Sequence, residues 1–230
     1  MRVQSLTLAA AGAALLAPAT LPVPGVSFAA SGDRHRITAT DLLARVHDCV
    51  QVSKGRYRSD ADTAATVPVC GTPQVVFWKA DLDIDCDGRP TAHCNRGADP
   101  AFSAATAYQQ SNGRQLNAEK LPYVVVPGPS GRWNHWASGI RGGAVAAVIY
   151  KGRVQYAVVG DTGPRDIIGE ASYATAKALG VNPDPRVGGV ASGVTYIVFK
   201  DSAVDPIEDR AAAEAEGERL AEQFTEDADR

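Results

Sequence analysis

Five short extended runs of apolar residues, separated by segments rich in Gly, Pro and Asn, constrain the fold of this chain most strongly. The runs are PQVVFWKADLDID, LPYVVVP, GAVAAVIY, RVQYAVVG and GVTYIVFK. Long helical patterns do not alternate with them, which argues against a doubly wound α/β sheet. The sequence therefore predicts a mainly β fold, a closed β-barrel with a few short helices in a single domain.

The connections between these runs predict three local structures. Lys151-Gly152 lies between two apolar runs and predicts a two-residue hairpin turn. In SYATAKALG, Ser172 can cap a helix of about two turns and Gly180 can end it. A strand, a Gly-Asp-x-Gly-Pro loop and this Ser-capped helix follow one another, which resembles the crossover unit of double-psi β-barrels.

Helical patterns also occur near both ends of the chain. TDLLARVHDCVQV predicts an early helix that Thr40 caps and that places apolar side chains at helical spacing as far as Val50. The Ala- and Glu-rich tail carries Leu220 and Phe224 four residues apart. It predicts a lightly amphipathic helix that frays into a charged end.

The first residues are typical of a secretory signal peptide. Arg2 is followed by the apolar stretch LTLAAAGAALLAPA and by Ser27-Phe28-Ala29, which predicts cleavage after Ala29 or Ala30. The stretch is too short and too rich in Pro to span a bilayer. We therefore expect a secreted, extracellular protein without a membrane segment. The predicted organisation is residues 1–29 signal peptide, 30–64 N-terminal helical segment, 65–204 catalytic β-barrel domain and 205–230 C-terminal acidic helix or tail.

The charge balance bears on the kind of ligand. Without residues 1–29, 22 basic residues stand against 26 acidic ones, a formal net charge of −4. This balance argues against a nucleic-acid partner and is compatible with a cationic ligand. About 200 mature residues suit one domain with a substantial core.

Four cysteines in an exported chain favour two disulfides. Four cysteines permit three pairings, and sequence alone does not choose among them; our preference is Cys49 with Cys70 and Cys86 with Cys94. The cysteine and histidine spacings do not fit a zinc site. We expect no metal and no cofactor.

Asp161 and Glu170 are the strongest candidates for catalysis. Asp161 ends an apolar strand, Glu170 precedes the Ser-capped helix, and the loop between them contains Gly163-Pro164 and Gly169. Two carboxylates at one cleft can serve as general acid and general base in glycoside hydrolysis. The alternative is structural, with Asp161 capping a turn and Glu170 lying favourably at the start of a helix.

A second acidic cluster follows the first strand, in KADLDIDCDG. On an extended chain, residues two apart point the same way, so these carboxylates would line one face. A calcium loop that begins at Asp83 would need Glu where Cys94 stands, which disfavours it. A cationic substrate and a solvated edge strand both remain open. The cluster consists of Asp81, Asp83, Asp85 and Asp87.

Several blocks in order resemble the chitosanases of glycoside hydrolase family 75. They are DLDIDCDG, DPAFSAATAYQQSNGRQLNAEKLPYVVVPG, GAVAAVIYKGRVQYAVVGDTGPRDIIGEAS and GVTYIVF, within the range 70–202. The resemblance implies that Asp161 and Glu170 are the essential acids, and GDTGPRDIIGEAS keeps both with their flanks. It also implies cleavage of internal β-1,4 bonds of chitosan, a glucosamine polymer, with inversion.

This family resemblance suggests roles for other residues. Because chitosan carries ammonium groups, the acidic cluster would attract and orient it. Aromatic rings could stack on sugars or hold ammonium groups, although Trp133 and Trp136 suit the core equally well. The aromatic candidates are Tyr123, Trp133, Trp136 and Tyr173. We expect a monomer whose partner is chitosan.

Two other functions fit the sequence less well. One is a non-catalytic secreted module of double-psi type that binds or loosens wall polysaccharide, which needs only one positioned acid. The other is a lytic or chitin-directed hydrolase, which acetylated and deacetylated polymers would separate.

Overall fold

A computed structural model describes residues 36–226 of the chain, and the predicted signal peptide lies outside them. The described residues belong to one compact unit. None of their helices combines the length and apolar character that crossing a membrane requires. The helices are α1 (Ala39–Arg45), α2 (Tyr173–Leu179), α3 (Arg210–Glu226) and a 3₁₀ helix (His135–Ser138). The strands are β1 (Cys70–Gly71), β2 (Val75–Asp85), β3 (Tyr123–Pro127), β4 (Val145–Tyr150), β5 (Arg153–Gly163), β6 (Glu170–Ser172) and β7 (Val190–Phe199).

Six of the strands close into a barrel. The sheet order is β1-β2-β6-β3-β5-β4-β7, and β7 also pairs with β2. The pairs β2/β6 and β3/β5 are parallel, and the remaining pairs are antiparallel. Closure leaves only the two-residue β1 outside the ring. The prediction of a mainly β, double-psi-like barrel in a single domain is confirmed.

The predicted hairpin and the predicted central helix are also confirmed. Lys151 and Gly152 both have positive φ, 45° and 77°, as a two-residue turn of the mirror-image type requires. Ser172 accepts a hydrogen bond from the backbone N–H of Thr175 at the start of α2. Gly180 ends that helix with a φ of 75°.

The early helix is shorter than predicted and begins earlier. Its N-cap is Thr38, not Thr40, because Thr38 and Asp41 exchange side-chain and backbone hydrogen bonds in a capping box. The helix ends at Arg45, and Val50 is 68% exposed. The chain is then drawn toward the sheet by a bridge between Gln51 and Cys70, so it cannot remain helical.

The C-terminal helix docks on the barrel. Phe224 is buried and meets Phe199 of β7 edge to face, with ring centroids 6.3 Å apart. Gly217 lies against the Tyr156 ring of β5, where a Cβ would collide. The predicted amphipathic helix is therefore present, and the charged end beyond it lies outside the described residues.

Both predicted disulfides are present. Cys49 bonds to Cys70 across 21 residues, and Cys86 bonds to Cys94 across eight. The first ties the segment after α1 to β1. The second closes the loop that follows β2, next to the acidic residues at the end of that strand.

Candidate active site

A β-bulge at Gly160 determines where Asp161 points. Val124 of β3 pairs with Val159, and Val125 pairs with Asp161, so Gly160 has no partner in the parallel ladder. A Cβ at Gly160 would lie 2.6 Å from the Cβ of Tyr123, so only glycine fits there. Since paired residues of parallel strands point to one side, the bulge turns Asp161 to the face that Val125 occupies.

Parallel pairing brings Glu170 to the same face. Glu170 of β6 pairs with Asp83 of β2, and β6 lies between β2 and β3. The Glu170 side chain reaches across β3 toward β5, because a Cβ at Gly163 would lie 2.7 Å from its Oε2. Gly163 is two residues beyond Asp161, so the two predicted catalytic carboxylates meet at one place on the barrel wall.

Asp161 is buried but is held by backbone donors. Its Oδ1 accepts hydrogen bonds from the N–H groups of Ala107 and Thr162, each at 2.7 Å. Burial raises the pKa of Asp161 to about 6, the two hydrogen bonds oppose the rise, and Asp87 adds to it. These donors favour the ionised form, as a base requires.

Glu170 has different surroundings. Within residues 36–226, its carboxylate receives no hydrogen bond. Burial raises the pKa of Glu170 to about 7, and the charges of Asp83, Asp87 and Asp161 add to the rise. A carboxyl without donors among other acids favours the protonated form, as an acid catalyst requires.

The acidic cluster of β2 divides into two groups. Asp85 and Asp87 lie with Asp161, their carboxylate oxygens within 4.8 Å of one another. Asp81 and Asp83 lie instead with Asp60, at the same spacing. Asp60 could not be predicted from the sequence, because it lies in a loop more than twenty residues before its partners and carries no motif.

The Asp85–Asp87 group is also tied to the loop structure. Asp85 accepts a hydrogen bond from the N–H of Asp87 at 2.6 Å, and Asp87 accepts one from Ser103 at 2.7 Å. Burial raises the pKa of Asp85 well above its ordinary value, and the Asp161 charge contributes. Burial raises the pKa of Asp87 as well. No Lys or Arg in the described part of the chain forms an ion pair with either carboxylate.

Two of the four candidate aromatic residues belong to the core. Tyr123 is fully buried beneath the acids, and its hydroxyl donates to the backbone oxygen of Asp87. Trp133 is 5% exposed, packs edge-on against Trp78, and donates from Nε1 to Ser138. Neither ring has an open face for a sugar.

The other two aromatic residues are accessible. Trp136 on the 3₁₀ helix is 48% exposed and packs edge-on against the buried His135. Tyr173 follows Ser172 at the start of α2, three residues after Glu170, and stacks on the His93 ring at 5.5 Å. Only these two can serve as sugar platforms among the four predicted.

The comparisons with known proteins concern the family of the chain. The family model described as fungal chitosanase of glycosyl hydrolase group 75 matches residues 82–230. Endo-chitosanase C of Aspergillus oryzae is 34% identical over 132 residues, 55% of this chain and 32% of that protein. An endo-chitosanase of Aspergillus fumigatus is 28% identical over 156 residues, 63% of this chain and 62% of that protein.

The solved structures that match include the Streptomyces papain inhibitor. It has 18% identity and a TM-score of 0.31, covering 54% of this chain and 94% of the inhibitor, a likeness too weak to carry an argument. The chain spans between 32% and 62% of the length of the two chitosanases above. Because the family model covers more than half of its residues, the chain belongs to the fungal chitosanase family of glycosyl hydrolase group 75.

Proposed function

We propose that this chain is a secreted endo-chitosanase that cleaves β-1,4 bonds of chitosan with inversion. The main support is that Asp161 and Glu170 share one face of the barrel. Backbone N–H groups donate to Asp161, whereas Glu170 lies among other acids. The family match and the names of the two Aspergillus relatives support the substrate. The two disulfides support an oxidising, extracellular location.

In this mechanism, Glu170 is the general acid. Its proton, retained near neutral pH because burial and three neighbouring acids raise its pKa to about 7, passes to the glycosidic oxygen as the bond breaks. Asp161 is the general base. Held ionised by the N–H groups of Ala107 and Thr162, it takes a proton from the water that attacks the anomeric carbon from the opposite side.

Asp85 and Asp87 provide negative charge where the substrate's ammonium groups would lie. Both residues are half-buried, and their carboxylate oxygens lie within 4.8 Å of that of Asp161. We assign them to ammonium binding beside the reacting bond. Among the four candidate aromatic residues, the exposed Trp136 and the half-buried Tyr173 are available for stacking on sugars.

Replacement of each catalytic acid by its amide tests the proposal. We expect Asp161→Asn and Glu170→Gln each to reduce hydrolysis by more than about a hundred-fold, because each change removes a proton donor or acceptor but keeps the shape. Release of reducing ends from soluble chitosan is the measurement. Asp166→Asn, in the loop between the two acids, is the matched control and should keep most activity. Substantial activity in either amide variant would remove that residue from the mechanism.

The stereochemistry of the product tests the water-mediated route. If a water molecule fits between the base and the sugar, the two carboxyl groups are roughly 6.5–9.5 Å apart and the reaction inverts. Proton NMR of the first products should then show the α-anomer before mutarotation. Early accumulation of the β-anomer would indicate a covalent intermediate and exclude Asp161 as a base acting through water.

A further inference from the structure

A second acidic group lies beside Glu170, on the part of β2 nearer the middle of the strand. Asp81 and Asp83 belong to β2, whereas Asp60 comes from the loop between Tyr57 and Val67. Tyr57 and Val67 exchange two backbone hydrogen bonds at 2.7 and 2.9 Å, which close that loop. The loop is thereby fixed at its base, and its acid is brought to the strand.

The same loop is fastened to the segment that leads to Glu170. The N–H of Arg58 donates to the backbone oxygen of Asp166 at 2.9 Å, and the N–H of Ile168 donates to the oxygen of Arg58 at 3.0 Å. Two chain segments that are distant in sequence therefore meet around Asp81 and Asp83. The position of Asp60 depends on these backbone contacts and not on a local turn with its partners.

The Asp81 carboxylate provides an independent observation. Asp81 is only 3% exposed, and its Oδ1 is buried without a hydrogen-bond partner among the described residues. Gly169, with a φ of 128°, lies directly against this oxygen, and a Cβ there would collide with it. An ionised carboxylate whose buried oxygen has no donor is unfavourable unless a cation reaches it.

We propose that Asp60, Asp81 and Asp83 bind a divalent cation of the calcium type. Their carboxylate oxygens lie within 4.8 Å of one another, which is the span of two oxygen ligands on opposite sides of an ion with bonds of about 2.4 Å. The group offers oxygen ligands alone, which favours a hard cation over zinc or copper. This departs from the sequence-based expectation of no metal.

Calcium suits the group better than magnesium or an ammonium group. Magnesium usually keeps most of its water and binds through one or two carboxylates, whereas calcium accepts three or more with irregular geometry. A single ammonium charge offsets one of three carboxylates, and the buried Asp81 leaves little access for a sugar that carries it. With water completing the coordination, we expect a dissociation constant of about 10⁻⁴–10⁻³ M, as in other extracellular modules.

The test measures binding and stability without chitosan, so it is independent of the proposed activity. The mature protein is treated with EDTA, dialysed, and titrated with CaCl₂ at pH 8 by calorimetry. We expect one site. In a thermal melt, 10 mM CaCl₂ should raise Tm by about 3–6 °C over NaCl of equal ionic strength, and 10 mM MgCl₂ should raise it by much less.

Variants locate the site. Asp60→Asn changes an exposed loop residue and should fold, and Asp81→Asn removes the buried carboxylate. Both should lose the calorimetric signal and the calcium-dependent shift in Tm. Asp62→Asn, an exposed acid of the same loop, is the matched control and should retain both.

Three results would overturn the proposal. They are the absence of calcium binding by the wild-type protein, an equal shift in Asp60→Asn and wild type, and a shift of equal size with 10 mM glucosamine hydrochloride that Asp60→Asn abolishes. The last result would identify the group as an ammonium site. Because the Asp83 charge raises the pKa of Glu170, activity is not used as a readout here. Binding and Tm decide this proposal and product release decides the other, so the two proposals can fail separately.

Discussion

The two halves of the barrel differ in regularity and in charge. Strand β4 pairs with β5 and β7 in unbroken antiparallel register, its residues from Val145 to Ile149 are buried, and it carries no carboxyl group. We call β4 and its paired stretches the regular half. The acid half consists of β2, β6, β3 and the end of β5, and it contains both parallel pairings and both register shifts.

The difference between the two halves shows that irregular strand pairing places carboxylates where regular alternation places apolar side chains. In the regular half, alternation alone sends apolar side chains to both buried faces. In the acid half, the bulge at Gly160 and the pairing of Glu170 with Asp83 send carboxylates into poorly solvated positions. Burial is the first cause of the raised pKa at Asp161 and at Glu170. The chemistry therefore depends on positions that are unfavourable for an ionised acid.

The pH dependence of catalysis is the largest effect by which to test this contrast. With Asp161 at a pKa of about 6 and Glu170 at about 7, the pair should give a bell-shaped profile with its maximum between these values. Below the maximum, Asp161 gains a proton and cannot activate water. Above it, Glu170 loses its proton. Each limb should fall up to ten-fold per pH unit in kcat/KM, measured on glucosamine oligomers in EDTA.

The variant Asp87→Asn shows whether the limbs of the pH profile come from enzyme groups or from titration of the substrate amine. The Asp87 charge contributes to the raised pKa of both Asp161 and Glu170, so its removal should move both limbs to lower pH. An alkaline limb that stays in place would belong to the substrate and would remove Glu170 as the titrating acid.

A smaller effect concerns substrate binding in the acid half. Asp85→Asn and Asp87→Asn should each raise KM for chitosan several-fold and make KM less sensitive to salt, because attraction between opposite charges is screened. Initial rates from 20 to 500 mM NaCl are the measurement. Unchanged KM and salt dependence in both variants would leave these residues with a structural role alone.

The regular half could be predicted from sequence more completely than the acid half. Alternation and the Lys151-Gly152 turn predict β4, β5 and their hairpin, because these depend on neighbours in the chain. The candidate pair could also be named, because Asp161 lies near the end of an apolar strand and Glu170 shortly precedes a helix cap. The grouping of Asp60 with Asp81 could not, because it depends on backbone contacts between distant segments.

The aromatic residues show the same limit. Trp133 and Trp136 lie three residues apart in GRWNHWASG, and neither composition nor spacing separates them. Trp133, which precedes the 3₁₀ helix, is buried against Trp78, whereas Trp136 on that helix is exposed. Likewise, helical periodicity does not distinguish Thr38 from Thr40 as the N-cap of α1. The structure shows that Thr38 forms the capping box with Asp41.

The smallest expected effect is on stability, and it contrasts the two halves directly. A carboxyl group whose pKa is raised by folding contributes stability fully below its ordinary pKa, and that contribution is lost as the pH rises through the folded value. For Glu170 the loss falls between about pH 4.5 and 7. Glu170→Gln removes the ionisable group, so at pH 8 in EDTA the variant should be more stable than wild type by about 1–3 kcal/mol, or several degrees in Tm. At pH 4 the two proteins should melt at nearly the same temperature.

Val148→Ala in the regular half should instead lower the free energy of unfolding by about 2 kcal/mol at both pH values, because a lost apolar contact does not titrate. The contradicting result would be a stability difference between Glu170→Gln and wild type that is the same at pH 8 and at pH 4. It would mean that the surroundings of Glu170 do not disfavour its ionised form. In that case the acid half would resemble the regular half, and the raised pKa on which the general-acid role depends would have no support.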